Sequence, residues 1–179
     1  MSRAWFSALA AFVTALGSWT APRLALAQAD AGPTTVILVR HAEKSRPLGD
    51  HPLSREGFAR ARELARVLGE AGVDAIYATQ YLRTQQTVKP LADLRSLPVT
   101  NLQTTENYIT ELLDRIRVDH PGQTVLVVSH RKTLPVIIEG LGAQPVPEIT
   151  EEQYDRLYVV TVSPSGTTLM SLRYGRQTP

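Results

Sequence analysis

The 179-residue chain contains no cysteine. That absence excludes disulfides, thiolate metal sites and lipid attachment at a cysteine together. Stability must then rest on a hydrophobic core, which a 43% hydrophobic chain of this length can build. Carboxylate-rich clusters of metal-binding type are missing too. No basic tract occurs, and no interleaving of basic and aromatic residues, so nucleic acid is not an expected partner. The formal net charge of +2 includes Arg3 and Arg23 of an N-terminal leader; without that pair, 17 basic residues face 17 acidic ones. Internal repeats and long linkers are absent, which implies one domain over residues 30–179.

The leader, Met1 to about Ala29, has a basic start at Arg3 and an apolar run from Ala4 to about Leu16. A small-residue exit follows, at Ala25-Leu-Ala27 or at Ala27-Gln-Ala29. This is the pattern of a secretory signal peptide, and it predicts an exported, periplasmic or secreted protein. The run is shorter than the roughly 20 apolar residues of a membrane span. Ser7, Thr14, Ser18 and Thr20 dilute it, and Pro22-Arg23 break it. No stable membrane span is expected after processing.

What is present begins with Val36-Ile-Leu-Val-Arg40-His41. An apolar, mostly β-branched run reads as a buried strand that leaves through two nitrogen-rich side chains. Further strands are expected at 74–78, 97–102 and 124–129, the last the most hydrophobic after the first and therefore central. Helices are expected from Ser54 as N-cap to about Ala71, from the Thr79–Thr87 stretch onward, from about Thr105 to Asp119, and from Thr133 to about Leu141. Residues 158–162 and 167–173, around Ser163-Pro-Ser-Gly166, form a closing hairpin. This alternation predicts a three-layer α/β/α sandwich, with a mostly parallel central sheet and an antiparallel edge.

Arg40-His41, Arg83 and His130 each follow the carboxyl end of a strand. In a parallel sheet those ends share one edge, where open α/β folds bind ligands. Two guanidiniums and two imidazoles there suit a phosphoryl dianion, because the planar Arg fork matches phosphate oxygens.

Arg40-His41-Ala42, Leu53-Ser-Arg-Glu-Gly57, Tyr81-Leu-Arg83-Thr84-Gln-Gln-Thr87 and Val127-Val-Ser129-His130 stand in an order that resembles the histidine phosphatase superfamily. The likeness runs from about Thr34 to the C-terminus. It is strongest to small exported bacterial members with an Arg-His-Ala-Glu-Lys motif, and it implies a phosphoglycerate mutase-like fold. It further implies a metal-independent phosphoric monoester hydrolase that needs no cofactor. His41 would be the nucleophile and Arg40, Arg83 and His130 the phosphate ligands. The substrate would be a small phosphorylated molecule, or a phosphate on a glycan or protein. Family members place a general acid in the loop after the third strand, where Glu106 is the one carboxylate; Glu43 competes, and the choice between Glu106, Glu43 and neither stays open. Ala42 replaces the usual glycine, Arg131 follows His130 where small residues are commoner, and Pro47-Leu48 stand where mutases carry Asn and Trp. Mutase activity is therefore not expected. The alternatives are a catalytically silent phosphate-binding or sensory module and a phosphotransferase to an acceptor other than water.

Other polar residues read more plainly. His51 and His120 are expected to face solvent, His120 with the option of a favourable charge at a helix C-terminus. Arg60, Arg62 and Arg66 should form the wet side of their helix. Tyr154 and Tyr158 should pack the hairpin. Arg131-Lys132 is either a solvated helix start or a recruiter of an anionic substrate tail. Without the long insert of larger phosphatases, the pocket should be open and shallow. Nothing in the sequence addresses the oligomeric state.

Overall fold

Strands β1 (Thr34–Arg40), β2 (Ala75–Thr79), β3 (Val99–Leu102), β4 (Thr124–Ser129), β5 (Arg156–Ser163) and β6 (Gly166–Arg173) form one sheet in the order β3-β2-β4-β1-β5-β6. The computed structural model describes residues 32–45 and 50–179; the leader, and with it the signal reading, lies outside them. The first four strands in that spatial order run parallel, and β5 and β6 add the antiparallel edge. Among the described residues no helix is long and apolar enough to cross a membrane.

Alternate side chains of each central strand enter opposite layers. Val36 and Leu38 join Tyr77, Val125 and Val127 beneath α3 (Tyr108–Asp119) and α4 (Thr133–Gly140). Ile37 and Val39 join Ile76, Leu126 and Val128 beneath α1 (Arg55–Leu68) and α2 (Leu82–Arg95). Burial on both faces is what continuous apolar runs such as Val36–Val39 and Val125–Val128 require.

Element boundaries moved where local chemistry intervened. Ser54 does cap α1, accepting from the Gly57 amide at 3.1 Å. That helix ends at Leu68, and Gly72 serves the following turn with a left-handed φ of 66°. Helix α2 runs through Pro90 and stops at Ser96, itself left-handed. Strand β3 starts only after Pro98, which lacks the amide a ladder needs. Residues 105–107 make a turn rather than the first turn of α3, and this leaves Glu106 ahead of the helix.

Register positions the site. Arg40 pairs with Ser129, and Ala78 pairs with Val128, so Arg40, Ser129 and Thr79 end their strands at one level. The His41 amide extends the ladder by one bond, to the Ser129 carbonyl at 3.0 Å. His41 and His130 therefore leave neighbouring strands side by side.

Candidate active site

The turn after β1 is held from several directions. Ala42 is fully buried against Leu53 and Ala61, and its amide donates to Thr87 Oγ1 at 2.9 Å. The Thr87 hydroxyl in turn donates to the Arg83 carbonyl at 2.6 Å. Downstream, the Ser54 amide donates to the Glu43 carbonyl and the Ser45 amide to Pro52, both at 2.8 Å. A Cβ at position 57 would collide with the Glu43 carbonyl, so Gly57 is what lets the start of α1 approach this turn. Gln86 Oε1 accepts from the Leu53 amide at 2.8 Å. The Leu53–Gly57 and Tyr81–Thr87 motifs thus act largely as fasteners of the His41 turn.

His41 is 5% exposed, and its Nδ1 lies 2.8 Å from the Ala42 carbonyl. A carbonyl only accepts, so Nδ1 carries the proton and Nε2 keeps its lone pair. Burial, with Arg40, His130 and Arg83 nearby, lowers the His41 pKa to about 3 despite the Ala42 bond. The imidazole is neutral at physiological pH. The His41 and His130 ring centroids are 5.5 Å apart.

A similar deduction orients His130. Thr84 Oγ1 has two backbone carbonyls in reach of its proton, Tyr81 at 2.8 Å and Thr79 at 3.0 Å. The Thr79 hydroxyl lies 2.9 Å from Thr84 Oγ1 and 3.1 Å from His130 Nε2, and when it donates to Thr84 it accepts from His130. That arrangement puts the His130 proton on Nε2 and leaves Nδ1 as the ring nitrogen for a ligand. Burial, then Arg83 and Arg40, lowers the His130 pKa to about 4. Thr133 Oγ1 holds the backbone of the same turn, between the Ser129 hydroxyl at 2.7 Å and the His130 amide at 3.2 Å.

The two arginines expected to bind phosphate are held differently. Arg83 lies 17% exposed in the first turn of α2, its guanidinium 4.3 Å from the Tyr81 ring and 3.7 Å from Asp50. Arg40 is 2% exposed. Its Nη1 donates to the carbonyls of Thr150, Glu151 and Gln153 at 2.8–3.0 Å, and its guanidinium stacks 3.9 Å from the Tyr154 ring. Its Nε is buried with no partner, and Nη2 has Glu151 Oε1 at 3.6 Å. Nε and Nη2 form one edge of the guanidinium, the edge that grips an oxyanion bidentately. One edge of Arg40 holds the chain; on the other, Nε has no protein acceptor and Nη2 has only the 3.6 Å contact to Glu151.

The two candidate proton donors separate. Glu43 receives Arg60 Nε and Nη2 at 2.8–3.0 Å, so both of its oxygens are engaged. Glu106 is exposed in its turn. Several plainer readings are corrected here. Arg60 is 4% exposed, not on the wet side: it spans from Glu43 to the carbonyls of Tyr174 and Arg176. Tyr154 belongs to the site, stacked on Arg40 with its ring 6.0 Å from His41, whereas Tyr158 packs the sheet as expected. His120, half buried, stands at the C-cap of α3 as the helix-end reading had it, with its Nε2 2.8 Å from Tyr77 Oη and its Nδ1 2.6 Å from Gln123 Oε1. His51 is half buried. The irregular 142–155 segment reaches the site through the Thr150, Glu151 and Gln153 carbonyls and the Tyr154 ring, all of which meet Arg40. Nothing in its composition announced this, because Tyr154 and Glu151 stand in no periodic pattern.

A family model described as the histidine phosphatase superfamily, branch 1, matches residues 36–105. The 8-oxo-(d)GTP phosphatase of Mycolicibacterium smegmatis is 31% identical over 144 residues, which are 72% of this chain and 44% of that protein. The chain thus spans less than half the length of that relative. Among solved structures, the protein histidine phosphatase SixA complexed with tungstate superposes with a TM-score of 0.62 at 18% identity, over 78% of this chain and 96% of the other. A putative alpha-ribazole-5'-P phosphatase from Escherichia coli gives 0.63 at 18% identity, over 79% and 97%. Such low identities speak for the fold, and the matched sequence carries the Arg40-His41 turn and the Arg83 helix. Residues 36–105 thus match the histidine phosphatase superfamily, and the chain shares the fold of these phosphatases.

Proposed function

We propose that the protein is an exported, metal-independent phosphatase that hydrolyses a phosphomonoester through a phosphohistidine on His41. The observation that carries this reading is a buried neutral imidazole with its Nδ1 proton tied to Ala42, next to Arg40, whose Nε has no protein acceptor. Such an imidazole has one lone pair, at Nε2, and desolvated cations to receive the transferred oxygens. In the first step Nε2 bonds to phosphorus, the ester P–O bond breaks, and the leaving alcohol takes a proton from Glu106. Of the two candidate carboxylates, Glu106 is the one that Arg60 leaves available. In the second step water attacks phosphorus and gives its proton to Glu106. The P–N bond breaks, and inorganic phosphate departs. Arg40, Arg83 and His130 hold the equatorial oxygens throughout.

The sequence of the leader supports export. The covalent step is tested by trapping labelled phosphate during turnover of an aryl phosphate by the mature protein. Label should appear on His41 and vanish in His41→Ala, and hydrolysis that persists in His41→Ala defeats the mechanism. A silent phosphate binder is the second reading, favoured by the engagement of Glu43 and the exposure of Glu106. It predicts phosphate binding with neither label nor product.

A further inference from the structure

Glu151 is drawn into a set of cations that the proposed chemistry only partly uses. Its carboxylate lies 2.9 Å from Arg131 Nε, 3.6 Å from Lys44 Nζ and 3.6 Å from Arg40 Nη2. These cations come from three places: the start of α4 beside His130, the turn after His41, and the end of β1. Glu148 adds a more remote contact, 3.6 Å from Arg131, from a side chain that is 87% exposed. The close partner of the three cations is therefore one carboxylate on a side chain that is 53% exposed. Burial would raise the Glu151 pKa, yet Arg40, Lys44 and Arg131 outweigh it and the pKa is lowered.

Arg40 is needed for the phosphoryl group, and its buried Nε faces no protein acceptor. Lys44 and Arg131 have no role in that transfer, yet both lie next to a catalytic histidine turn. The backbone under Glu151 is pinned independently, through Arg40 Nη1 to the 150, 151 and 153 carbonyls and through the buried Ile149. Glu151 can thus swing out without loss of the wall it stands on. A free anion entering between Lys44 and Arg131 would replace a half-exposed carboxylate and strand no buried charge.

We propose that Lys44 and Arg131 form a second anion subsite, beside the phosphoryl pocket, for an anionic group carried by the leaving alcohol. Glu151 occupies it until such a substrate enters. The proposal rests on the phosphatase reading and narrows its substrate class to phosphomonoesters with a second negative charge. It also gives Arg131, which departs from the usual small residue of the family, a chemical task. The neighbouring Lys132 is exposed and takes no part.

Glycerol 3-phosphate and 3-phosphoglycerate form a suitable probe pair, differing chiefly in a neutral alcohol against a carboxylate. The wild type should favour the second by about tenfold in kcat/KM, the size of one charge-assisted contact. Arg131→Gln should bring the ratio close to one, Glu151→Gln should raise it, and Lys132→Gln should leave it unchanged. A wild-type ratio near one overturns the subsite. So does a Lys132→Gln effect equal to that of Arg131→Gln, since a diffuse field would then explain the preference. Calorimetric binding of both compounds to His41→Ala separates the two readings. A preference in binding without any wild-type turnover keeps the subsite and removes the hydrolase; equal turnover of both esters does the reverse.

Discussion

Arg40 and Arg60 are both almost fully buried, at 2% and 4% exposure, and they do opposite things with the same side chain. Arg60 is saturated. Glu43 takes Nε and Nη2, and the carbonyls of Tyr174 and Arg176 take Nη1 and Nη2, so its charge is matched and each of its nitrogens has an acceptor. It fastens the C-terminal tail and α1 to the turn that carries His41. Arg40 is left unfinished: three carbonyls share Nη1, Nε has no acceptor, and its nearest carboxylate belongs to a half-exposed side chain. A buried cation costs free energy unless it is paired. Leaving one under-paired stores an attraction for an incoming oxyanion. On the proposed function, what separates the structural arginine from the ligand-binding one is the number of nitrogens for which the protein itself supplies an acceptor.

The contrast can be broken most forcefully at the two arginines. Arg40→Lys keeps a cation and loses the fork, and kcat/KM for an aryl phosphate should fall about 10³-fold, the scale for removing a preorganised transition-state donor. In the same variant inorganic phosphate should no longer raise the melting temperature, whereas phosphate at a hundred times its Kd should stabilise the wild type by about 2.7 kcal/mol. Arg60→Gln should leave phosphate stabilisation intact and cost about 3 kcal/mol in urea unfolding, because Glu43 loses its counter-charge. If Arg60→Gln abolishes phosphate binding in folded protein, the division of labour between the two arginines is wrong.

The histidines sharpen the comparison through pH. Burial comes first, and the under-paired cations add to it, in holding His41 near 3 and His130 near 4, against an ordinary 6.5. Both folded-state values lie below the unfolded one. The unfolded chain therefore binds more protons below pH 6.5, and stability falls as pH falls from 6.5 toward 4 and 3. The slope is about 1.4 kcal/mol per pH unit for each histidine, or about 2 kcal/mol each between pH 6.5 and 5. Urea midpoints against pH should show this loss in the wild type and a shallower one in His41→Asn. An equal slope in both would refute the burial of a neutral His41.

The smallest effect is expected at Thr79. Thr79→Val removes the acceptor that keeps the His130 proton on Nε2, and kcat/KM should drop about fivefold, the worth of one net hydrogen bond. Steady-state kinetics on an aryl phosphate measure it, and an unchanged kcat/KM in folded Thr79→Val would overturn the part given to Thr79.

Much of the site was legible because it hangs on strand ends. The runs Val36–Val39 and Val125–Val128 had to be buried on both faces, and a parallel pairing then brings Arg40-His41 and His130 to one edge whatever the loops do. The Ser54 cap and the central place of β4 followed from local chemistry in the same way. Arg60 was misread because its helical position marks only a boundary between faces, and a distant carboxylate together with the tail carbonyls drew it inward. Tyr154 was misread for the same cause: its partner, Arg40, is remote in sequence.

What the sequence determined by itself is the sheet, its covered faces and the gathering of two histidines and two arginines, since hydrophobic periodicity and strand pairing fix backbone direction and register. What only the tertiary structure decided is how each charged group is spent. Whether Glu43 is an acid or a clamp, whether Arg131 is solvated or bound to Glu151, and which nitrogen of His130 bears the proton all depend on distances of about 3 Å between residues far apart in the chain. Electrostatic and hydrogen-bonding energies are set at that range, and no local pattern of residues encodes it.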